Sequence, residues 1–139
     1  PVWATSIEEW DKTMSVNLRG MFLCSKAVIP NMMEMKKGKI INIGSSSARY
    51  TDGDYGPYVA TKCGVAGYTA SLGKSVRAYG IQVNGINPGS VDTDMAREEV
   101  PEGSPEWTTP DQIAEVALFL ASKAPTDMCG QFIDVFETP

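Results

Sequence analysis

A tyrosine and a lysine four residues apart are the first pair in this chain whose types and spacing could do chemistry. Tyr58 and Lys62 lie in the stretch GPYVATKCGVAGYT, residues 56–69. Four residues make about one helical turn, so both side chains leave the same face of a helix. A lysine ammonium about 4–6 Å from a tyrosine favours the tyrosinate, which can then exchange a proton with an alcohol or carbonyl oxygen. The spacing also occurs by chance on solvated helices, so a plain surface pair remains open.

Serines near the end of a predicted strand are candidates for holding the reacting oxygen. Ser45, Ser46 and Ser47 follow Gly44, and Asn87-Pro88-Gly89 follows the next predicted strand. In an open parallel sheet, ligands bind beyond the carboxyl ends of the strands, where both segments would lie. A serine hydroxyl there could donate a hydrogen bond to a substrate oxygen. A loop serine also often bonds its own backbone, and this alternative stays open.

The composition excludes several classes of function. The chain has 139 residues, a formal net charge of -5 and no histidine. Without histidine there is no Ser-His or Cys-His nucleophile pair, and most zinc and non-haem iron sites are ruled out. The acidic balance argues against nucleic acid and anionic membrane surfaces as partners. No stretch approaches the ~18 apolar residues of a membrane span, and the first residues lack the pattern of a signal peptide.

The cysteines indicate a reducing compartment. Cys24, Cys63 and Cys129 are odd in number and widely spaced. This pattern fits reduced thiols better than disulfides or a zinc site. We therefore expect a cytoplasmic protein in which each cysteine packs in the core.

Hydrophobic periodicity predicts alternating helices and strands. Apolar residues recur at three- and four-residue steps over 6–35, with Ser6 and Glu9 placed as a capping box and Pro30 as a possible kink. Further helices are predicted from Tyr58 to about Tyr79, where Gly80 is a stop signal, and from Thr109-Pro110 onward. Predicted strands cover 39–43, 81–86 and 131–136, and 90–108 reads as a loop with short helical turns.

This order of elements predicts an α/β fold. Helix, strand, helix, strand, helix, strand suits parallel strands joined by right-handed crossovers, which is part of a doubly wound, Rossmann-like sheet. The chain shows no internal repeat, low-complexity tract or linker. Residues 1–139 are therefore expected to form one partial domain.

Four motifs follow one another along the chain. They are Val16-Asn17-Leu18-Arg19-Gly20, Asn42-Ile43-Gly44-Ser45, Tyr58-Val59-Ala60-Thr61-Lys62, and Val83 to Gly89 continued through Thr93-Asp94-Met95. Together they resemble the short-chain dehydrogenase/reductase (SDR) family, in particular its 3-oxoacyl-ACP reductase-like members. Ser45 stands thirteen residues before Tyr58, and this spacing distinguishes it from Ser46 and Ser47. The resemblance covers nearly the whole chain.

The resemblance implies a catalytic tetrad and a nicotinamide cofactor, NAD or NADP. Ser45 would hold the substrate oxygen, Tyr58 would act as acid/base, and Lys62 would lower the tyrosine pKa and bind the nicotinamide ribose. Asn17 would anchor a water of the proton relay, although an asparagine inside a helix can simply satisfy a local backbone group. Pro88 and Gly89 would shape the wall against the nicotinamide, the Val91 backbone would meet its carboxamide, and Thr93 would contact the carboxamide or the pyrophosphate.

One half of the family's pattern does not occur in these residues. The glycine-rich turn T-G-x-x-x-G-x-G, which takes the pyrophosphate in the family, is not found in the sequence. The chain therefore resembles the carboxyl half of an SDR domain, without the amino-terminal dinucleotide-binding βαβ half. We expect an open sheet edge, and either a fragment or a chain completed by another polypeptide.

Three functions are compatible with this pattern. The first is an NAD(P)-dependent oxidoreductase that interconverts a secondary alcohol and a ketone. The second is a truncated, non-catalytic chain that acts only through association, which the absent glycine-rich turn favours. The third, epimerisation or dehydration, is disfavoured by the lack of a larger substrate domain. In the family, the first two long helices form the main dimer contact, so a homo-oligomer is expected.

Overall fold

The computed structural model describes residues 1–51 and 53–136 of the chain. Within these residues, five α-helices and three strands follow one another with short π- and 3-10 segments between them. In chain order they are α1 Ile7–Met14, a π-helical segment Ser15–Arg19, α2 Gly20–Met35, β1 Gly38–Ile43, a 3-10 turn Ser46–Ala48, α3 Gly56–Val76, a 3-10 turn Arg77–Tyr79, β2 Ile81–Pro88, α4 Asp94–Glu99, α5 Pro110–Ser122 and β3 Phe132–Val135.

The three strands form one parallel sheet in the order β1-β2-β3. Gly38 of β1 pairs with Ile81 of β2, and this register continues to Ile43 and Ile86. Gly85 of β2 pairs with Phe132 of β3. The predicted parallel α/β fold is confirmed, and β2, whose first seven residues are all buried, is its central strand.

Helices cover both faces of this sheet. On one face, Val76 of α3 packs with Ile81 and Val83 of β2, joined by Ile29 and Met32 of α2. On the other face, Ile86 packs with Leu120 of α5 and with Ala124. Burial on both faces explains why Ile40 and Ile41 follow one another in β1. In β2 the polar residues Gln82, Asn84 and Asn87 are buried as well, and each makes side-chain hydrogen bonds.

Residues that the sequence predicts to cap or stop helices lie at the helix ends of the structure. Ser6 and Glu9 form the capping box of α1, and Thr109 and Gln112 form that of α5. Gly80 has a φ of 73°, the left-handed conformation that favours glycine, and it separates the 3-10 turn after α3 from β2.

One sequence prediction about the elements needs correction. The helix predicted over 6–35 contains a π-helical segment, in which the Gly20 N–H donates to the Ser15 carbonyl five residues earlier. The apolar period continues across this bulge, so periodicity alone does not reveal it. The segment 90–108, predicted as a loop with short helical turns, does contain a short helix. This is α4, six residues long, which Thr93 caps by accepting a hydrogen bond from the Ala96 N–H.

The expectation that all three cysteines are core residues is wrong. Cys24 and Cys63 are exposed, and Cys129 is partly buried. On α3, the buried residues Thr61, Val65 and Thr69 recur every four positions, so Cys63 lies on the opposite side of the helix.

Within the described residues, no three His, Cys, Asp or Glu side chains are placed to hold a metal ion. No helix there is long and apolar enough to cross a membrane.

An ion pair joins two residues of the connection between β2 and α5. The Arg97 guanidinium donates hydrogen bonds to both carboxylate oxygens of Asp92, with 2.8 Å between Arg97 Nη2 and Asp92 Oδ2. Val91 also bridges Thr108 in parallel, and the Asp92 N–H donates to the Thr108 carbonyl over 2.9 Å. The Arg97 hydrogen bonds hold the pKa of the Asp92 carboxyl below its usual value.

Because the pKa of Asp92 is lowered on folding, its contribution to stability is present above the unfolded-state pKa of about 4 and is lost as the pH falls through the folded value. We therefore expect Arg97→Met to speed amide hydrogen exchange over 92–108 at pH 7, with core amides of β2 unchanged. The difference from wild type should vanish at acidic pH. Equal exchange of the two proteins at pH 7 would contradict this role of the ion pair.

Candidate active site

Tyr58 and Lys62 are brought together at the start of α3. The helix begins at Gly56, with Pro57 at a position that suits its fixed φ, so Tyr58 lies in the first turn. One turn later, the Lys62 ammonium nitrogen lies 5.4 Å from the centroid of the Tyr58 ring. The two side chains predicted to share a helix face therefore lie side by side.

The backbone of β1 holds Lys62 in this position. Lys62 Nζ donates a hydrogen bond to the Ile43 carbonyl over 3.1 Å. Ile43 is the last residue of β1 and lies two positions before Ser45. Burial lowers the pKa of the Lys62 ammonium from its usual value, because desolvation disfavours the charged form. The lysine thus connects the Tyr58 turn to the carboxyl end of the first strand.

Asn17 reaches the same turn through a threonine. Asn17 Nδ2 donates to Thr61 Oγ1 over 3.3 Å, and Thr61 Oγ1 donates to the Tyr58 carbonyl over 2.7 Å. Thr61 is fully buried. Asn17 lies in the π-helical segment, a type of bulge that occurs often at functional sites.

The sequence interpretation did not identify Thr61 as a site residue. Its position in the sequence, three residues after Tyr58 and one before Lys62, could have identified it. Residues three apart on a helix are neighbours, which lets the hydroxyl reach back to the preceding turn.

Ser45 follows β1 and begins the 3-10 turn Ser46–Ala48, which contacts α3. Ser45 Oγ accepts a hydrogen bond from the Ser47 N–H over 3.1 Å, and the residue is 7% exposed. The hydroxyl therefore does bond its own backbone, as the alternative interpretation held. Because it bonds Ser47 as an acceptor, its proton can still be donated to a substrate oxygen.

The other predicted cofactor residues lie along the carboxyl end of β2. Pro88 ends the strand, and the Gly89 N–H donates to the Val135 carbonyl over 3.2 Å. Val91 forms the bridge to Thr108, while the Thr93 hydroxyl caps α4. These residues and Ser45 follow neighbouring parallel strands at the same edge of the sheet, where α/β proteins bind their ligands.

The donor set at this edge suits the nicotinamide and ribose part of a dinucleotide. An ammonium carries three N–H donors, so Lys62 has two left after its bond to Ile43. The Thr93 oxygen accepts from Ala96, so its hydroxyl proton is available to a ligand. A cleft of about 490 Å³ opens beside the site and is lined by residues that include Asn17 and Tyr58. The fit does not extend to the pyrophosphate, because the glycine-rich turn is absent from the sequence.

Lys62 should leave a signature in the pH dependence of stability. Since burial lowers its pKa below the usual 10.5, the folded state releases its proton at a lower pH than the unfolded state does. The unfolded state then binds more protons between the two values, and stability rises with pH across that window. We therefore expect the free energy of unfolding of wild type, minus that of Lys62→Met, to increase as the pH rises toward 10.5.

Lys74→Met is the matched control, because Lys74 lies three turns further along α3 and is exposed. Urea unfolding at several pH values measures both variants. If Lys62→Met and Lys74→Met show the same pH dependence, the lowered pKa of Lys62 is refuted.

Comparison with known proteins identifies the family of this fold and site. The profile of the short chain dehydrogenase family matches residues 1–103. The 3-oxoacyl-[acyl-carrier-protein] reductase FabG of Thermotoga maritima is 33% identical over 138 residues, which cover 92% of this chain and 56% of that protein. The chain therefore spans about half the length of the curated relatives it matches.

Solved structures agree with this similarity. A 3-oxoacyl-[acyl-carrier protein] reductase from Brucella melitensis with bound NAD superimposes with a TM-score of 0.85 at 32% identity, over 96% of this chain and 53% of that one. A gluconate 5-dehydrogenase from Burkholderia cenocepacia in complex with NADP and tartrate gives a TM-score of 0.85 at 32% identity. This match covers 98% of this chain and 58% of the dehydrogenase chain. The match covers the segments that carry Asn17, Ser45, Tyr58 and Lys62, and the chain belongs to the short chain dehydrogenase family.

Proposed function

We propose that this chain carries the proton-transfer and nicotinamide-binding half of an NAD(P)-dependent oxidoreductase that interconverts a ketone and a secondary alcohol. The observation that supports this most strongly is the pairing of Tyr58 with a partly buried Lys62. Lys62 is bonded to the strand end that leads into Ser45. Perturbed ionisable groups at a ligand-binding edge are typical of acid/base catalysis.

Each residue has a role that its position allows. The Ser45 hydroxyl donates a hydrogen bond to the substrate oxygen and fixes its place. The Tyr58 hydroxyl gives its proton to that oxygen during reduction and takes one from it during oxidation. Lys62, with N–H groups left to donate, binds the ribose. Asn17 anchors a water that returns the proton to solvent. Bound NAD(P)H supplies the hydride.

The cofactor is proposed to lie along the carboxyl end of β2. Pro88 and Gly89 form the wall against the nicotinamide ring, the Val91 backbone meets the carboxamide, and Thr93 donates to the carboxamide or the pyrophosphate. Of the two solved relatives, the reductase from Brucella melitensis has NAD bound and the dehydrogenase from Burkholderia cenocepacia has NADP bound. Neither cofactor is therefore preferred, and the contacts proposed for these residues are mainly those to the nicotinamide and its ribose.

The first substrate class to test is a 3-oxoacyl thioester. The relative from Thermotoga maritima is named as a 3-oxoacyl-[acyl-carrier-protein] reductase. The relative from Burkholderia cenocepacia is named as a gluconate 5-dehydrogenase, which is a different substrate on the same fold. Fold similarity does not decide between them, because substrate choice depends on the particular side chains of the pocket.

A second candidate function is association without catalysis. It is favoured by apolar side chains that are open to solvent, such as Val16, Phe22 and Leu23. The two functions differ in one property, because only the oxidoreductase must bind a reduced nicotinamide.

The test is a fluorescence titration of the 139-residue chain with NADH and with NADPH, followed by reduction of acetoacetyl thioesters. We expect saturable binding, and turnover that Tyr58→Phe lowers at least about a hundredfold, the usual scale for loss of a general acid. Tyr79→Phe is the matched control, since Tyr79 is an exposed tyrosine in the 3-10 turn at the far end of α3.

Two results would overturn the proposal. Full activity of Tyr58→Phe would remove Tyr58 as the acid/base. No binding of either cofactor at millimolar concentration would leave the association function as the better account of this chain.

The expected homo-oligomer is proposed to form through α2 and α3. Phe22 of α2 and Tyr68 of α3 are in edge-to-face contact, with ring centroids 6.4 Å apart. Gly67, next to Tyr68, is exposed, and a Cβ atom there would meet nothing within 4 Å. A small residue on an open helix face allows another helix to approach closely.

Gly67→Arg tests this interface without disturbing the fold, because the added side chain has free space in the protomer. It also removes a glycine from a helix interior, which favours the helix by about 1 kcal/mol. We expect the variant to shift toward monomer in analytical ultracentrifugation while its melting temperature does not fall. Ala121→Arg, exposed on α5, should leave the oligomer intact. An unchanged sedimentation coefficient for Gly67→Arg would place the interface elsewhere.

A further inference from the structure

A fully buried asparagine lies directly beside the serine of the proposed site. Asn87 is 1% exposed and is the seventh residue of β2. Its Oδ1 accepts a hydrogen bond from the Ser45 N–H over 3.1 Å. Its Nδ2 donates to Asp134 Oδ1 over 2.7 Å, and Asp134 is its neighbour on β3. One amide thus links the residue after β1 to the adjacent strand β3.

The chemistry of the two partners fixes the orientation of this amide. A carboxylate can only accept a hydrogen bond, so the NH2 group of Asn87 must face Asp134. A backbone N–H can only donate, so the carbonyl oxygen must face Ser45. The negative charge of Asp134 strengthens the bond that it accepts, as charge-assisted hydrogen bonds are stronger than neutral ones. Asp134 therefore holds the carbonyl oxygen of Asn87 toward Ser45.

The same carboxylate also holds the far end of the serine segment. Arg49, four residues after Ser45, has its Nε 3.4 Å from Asp134 Oδ2. The next residue, Tyr50, makes an edge-to-face ring contact with Phe136, with centroids 5.9 Å apart. The segment 45–50, called the serine segment below, is therefore bonded to Asn87 of β2 at its start and contacts Asp134 and Phe136 at its end.

A glycine makes the close approach of Asn87 possible. A Cβ atom at Gly44 would lie 2.1 Å from Asn87 Oδ1 and 2.8 Å from Phe132 Cε1. Such distances are far inside van der Waals contact, so any side chain at position 44 would displace the amide. The glycine that precedes Ser45 is required by this asparagine.

We propose that Asn87 and Asp134 are positioning residues that hold the Ser45 hydroxyl at the place of the substrate oxygen. This role rests on the function proposed above, in which Ser45 donates to that oxygen. The asparagine fixes the Ser45 backbone at the end of β1, and the bond from the Ser47 N–H then sets the direction of the hydroxyl. Without Asn87, the backbone of Ser45 loses its tether to the sheet while its hydroxyl remains present.

The tether itself is tested by amide-resolved hydrogen exchange of the chain alone. We expect Asn87→Ala to speed exchange of the Ser45 amide about tenfold or more relative to the Gly44 amide, which is bonded to the Ile86 carbonyl. Asn84→Ala is the matched control, because Asn84 is an equally buried asparagine of β2 whose side chain makes two hydrogen bonds, to Met128 and Gln131.

Asp134→Ala tests the same tether from a partly exposed position. It should speed hydrogen exchange of the Ser45 amide, as Asn87→Ala does. If Asn87→Ala does not fold, the result with Asp134→Ala alone tests the tether. Unchanged Ser45 exchange in the folded variants, or an equal change in Asn84→Ala, would overturn the tether.

The positioning role is tested by a double-mutant cycle on kcat. We expect Asn87→Ala alone to lower kcat about ten- to a hundredfold, the scale of a small misplacement of a catalytic group. In the Ser45→Ala background, Asn87→Ala should cause no further loss, because residues that act through one group are not additive. Asn84→Ala should lower stability and leave kcat unchanged. Multiplicative losses in the double variant would show that Asn87 does not act through Ser45.

The two readouts separate this inference from the proposed function. If wild type reduces no carbonyl compound, the oxidoreductase function fails, and with it the positioning role, whatever the exchange of Ser45 shows. If wild type is active and kcat of Asn87→Ala equals that of wild type, the positioning role alone fails.

Discussion

The parallel pairing of β1 with β2 determines where every candidate site residue lies. Its register carries Ile43 beside Ile86, so that Ser45 and Asn87 follow at the same edge of the sheet. Ile40 packs with the core beneath α2 and α3, whereas Ile41 packs with the core beneath α5. A slip of one residue would exchange these two faces, and hydrophobic burial on both sides therefore keeps the register. The position of the serine depends directly on the burial of these strands.

Buried polar side chains attach the connections of the fold to this sheet. Asn42 of β1 donates to Thr69 of α3 over 2.8 Å, Asn84 bonds the turn before β3, and Asn87 bonds the serine segment. Among the described residues, no buried side-chain nitrogen or oxygen lacks a hydrogen-bond partner. An unpaired amide in the core would cost about 1–3 kcal/mol, so each asparagine stabilises one arrangement of its connection. The polar interior thereby specifies the geometry of the site, while the apolar interior specifies the layers.

The sequence predicted local signals well and long-range contacts poorly. Capping boxes at Ser6 and Thr109, the stop at Gly80 and the β-branched runs act within a few residues, so they can be identified without the fold. The contacts of Thr61 with Asn17 and of Asn87 with Ser45 join residues more than forty positions apart, and no local pattern marks them. The π-helical segment and the exposure of Cys24 and Cys63 depend on packing, which explains why periodicity and composition did not predict them. The roles of the tetrad residues remain proposals that the family resemblance supplied.

Isotope transfer is the most direct test of the central claim that this chain positions a carbonyl group for reduction. The chain is incubated with an acetoacetyl thioester and NADH deuterated at both C4 positions, and the hydroxyacyl product is analysed by mass spectrometry. The account predicts one deuterium in the product with wild type, and none above background with Tyr58→Phe. A chain that binds the labelled cofactor but transfers no deuterium to any carbonyl compound would contradict it.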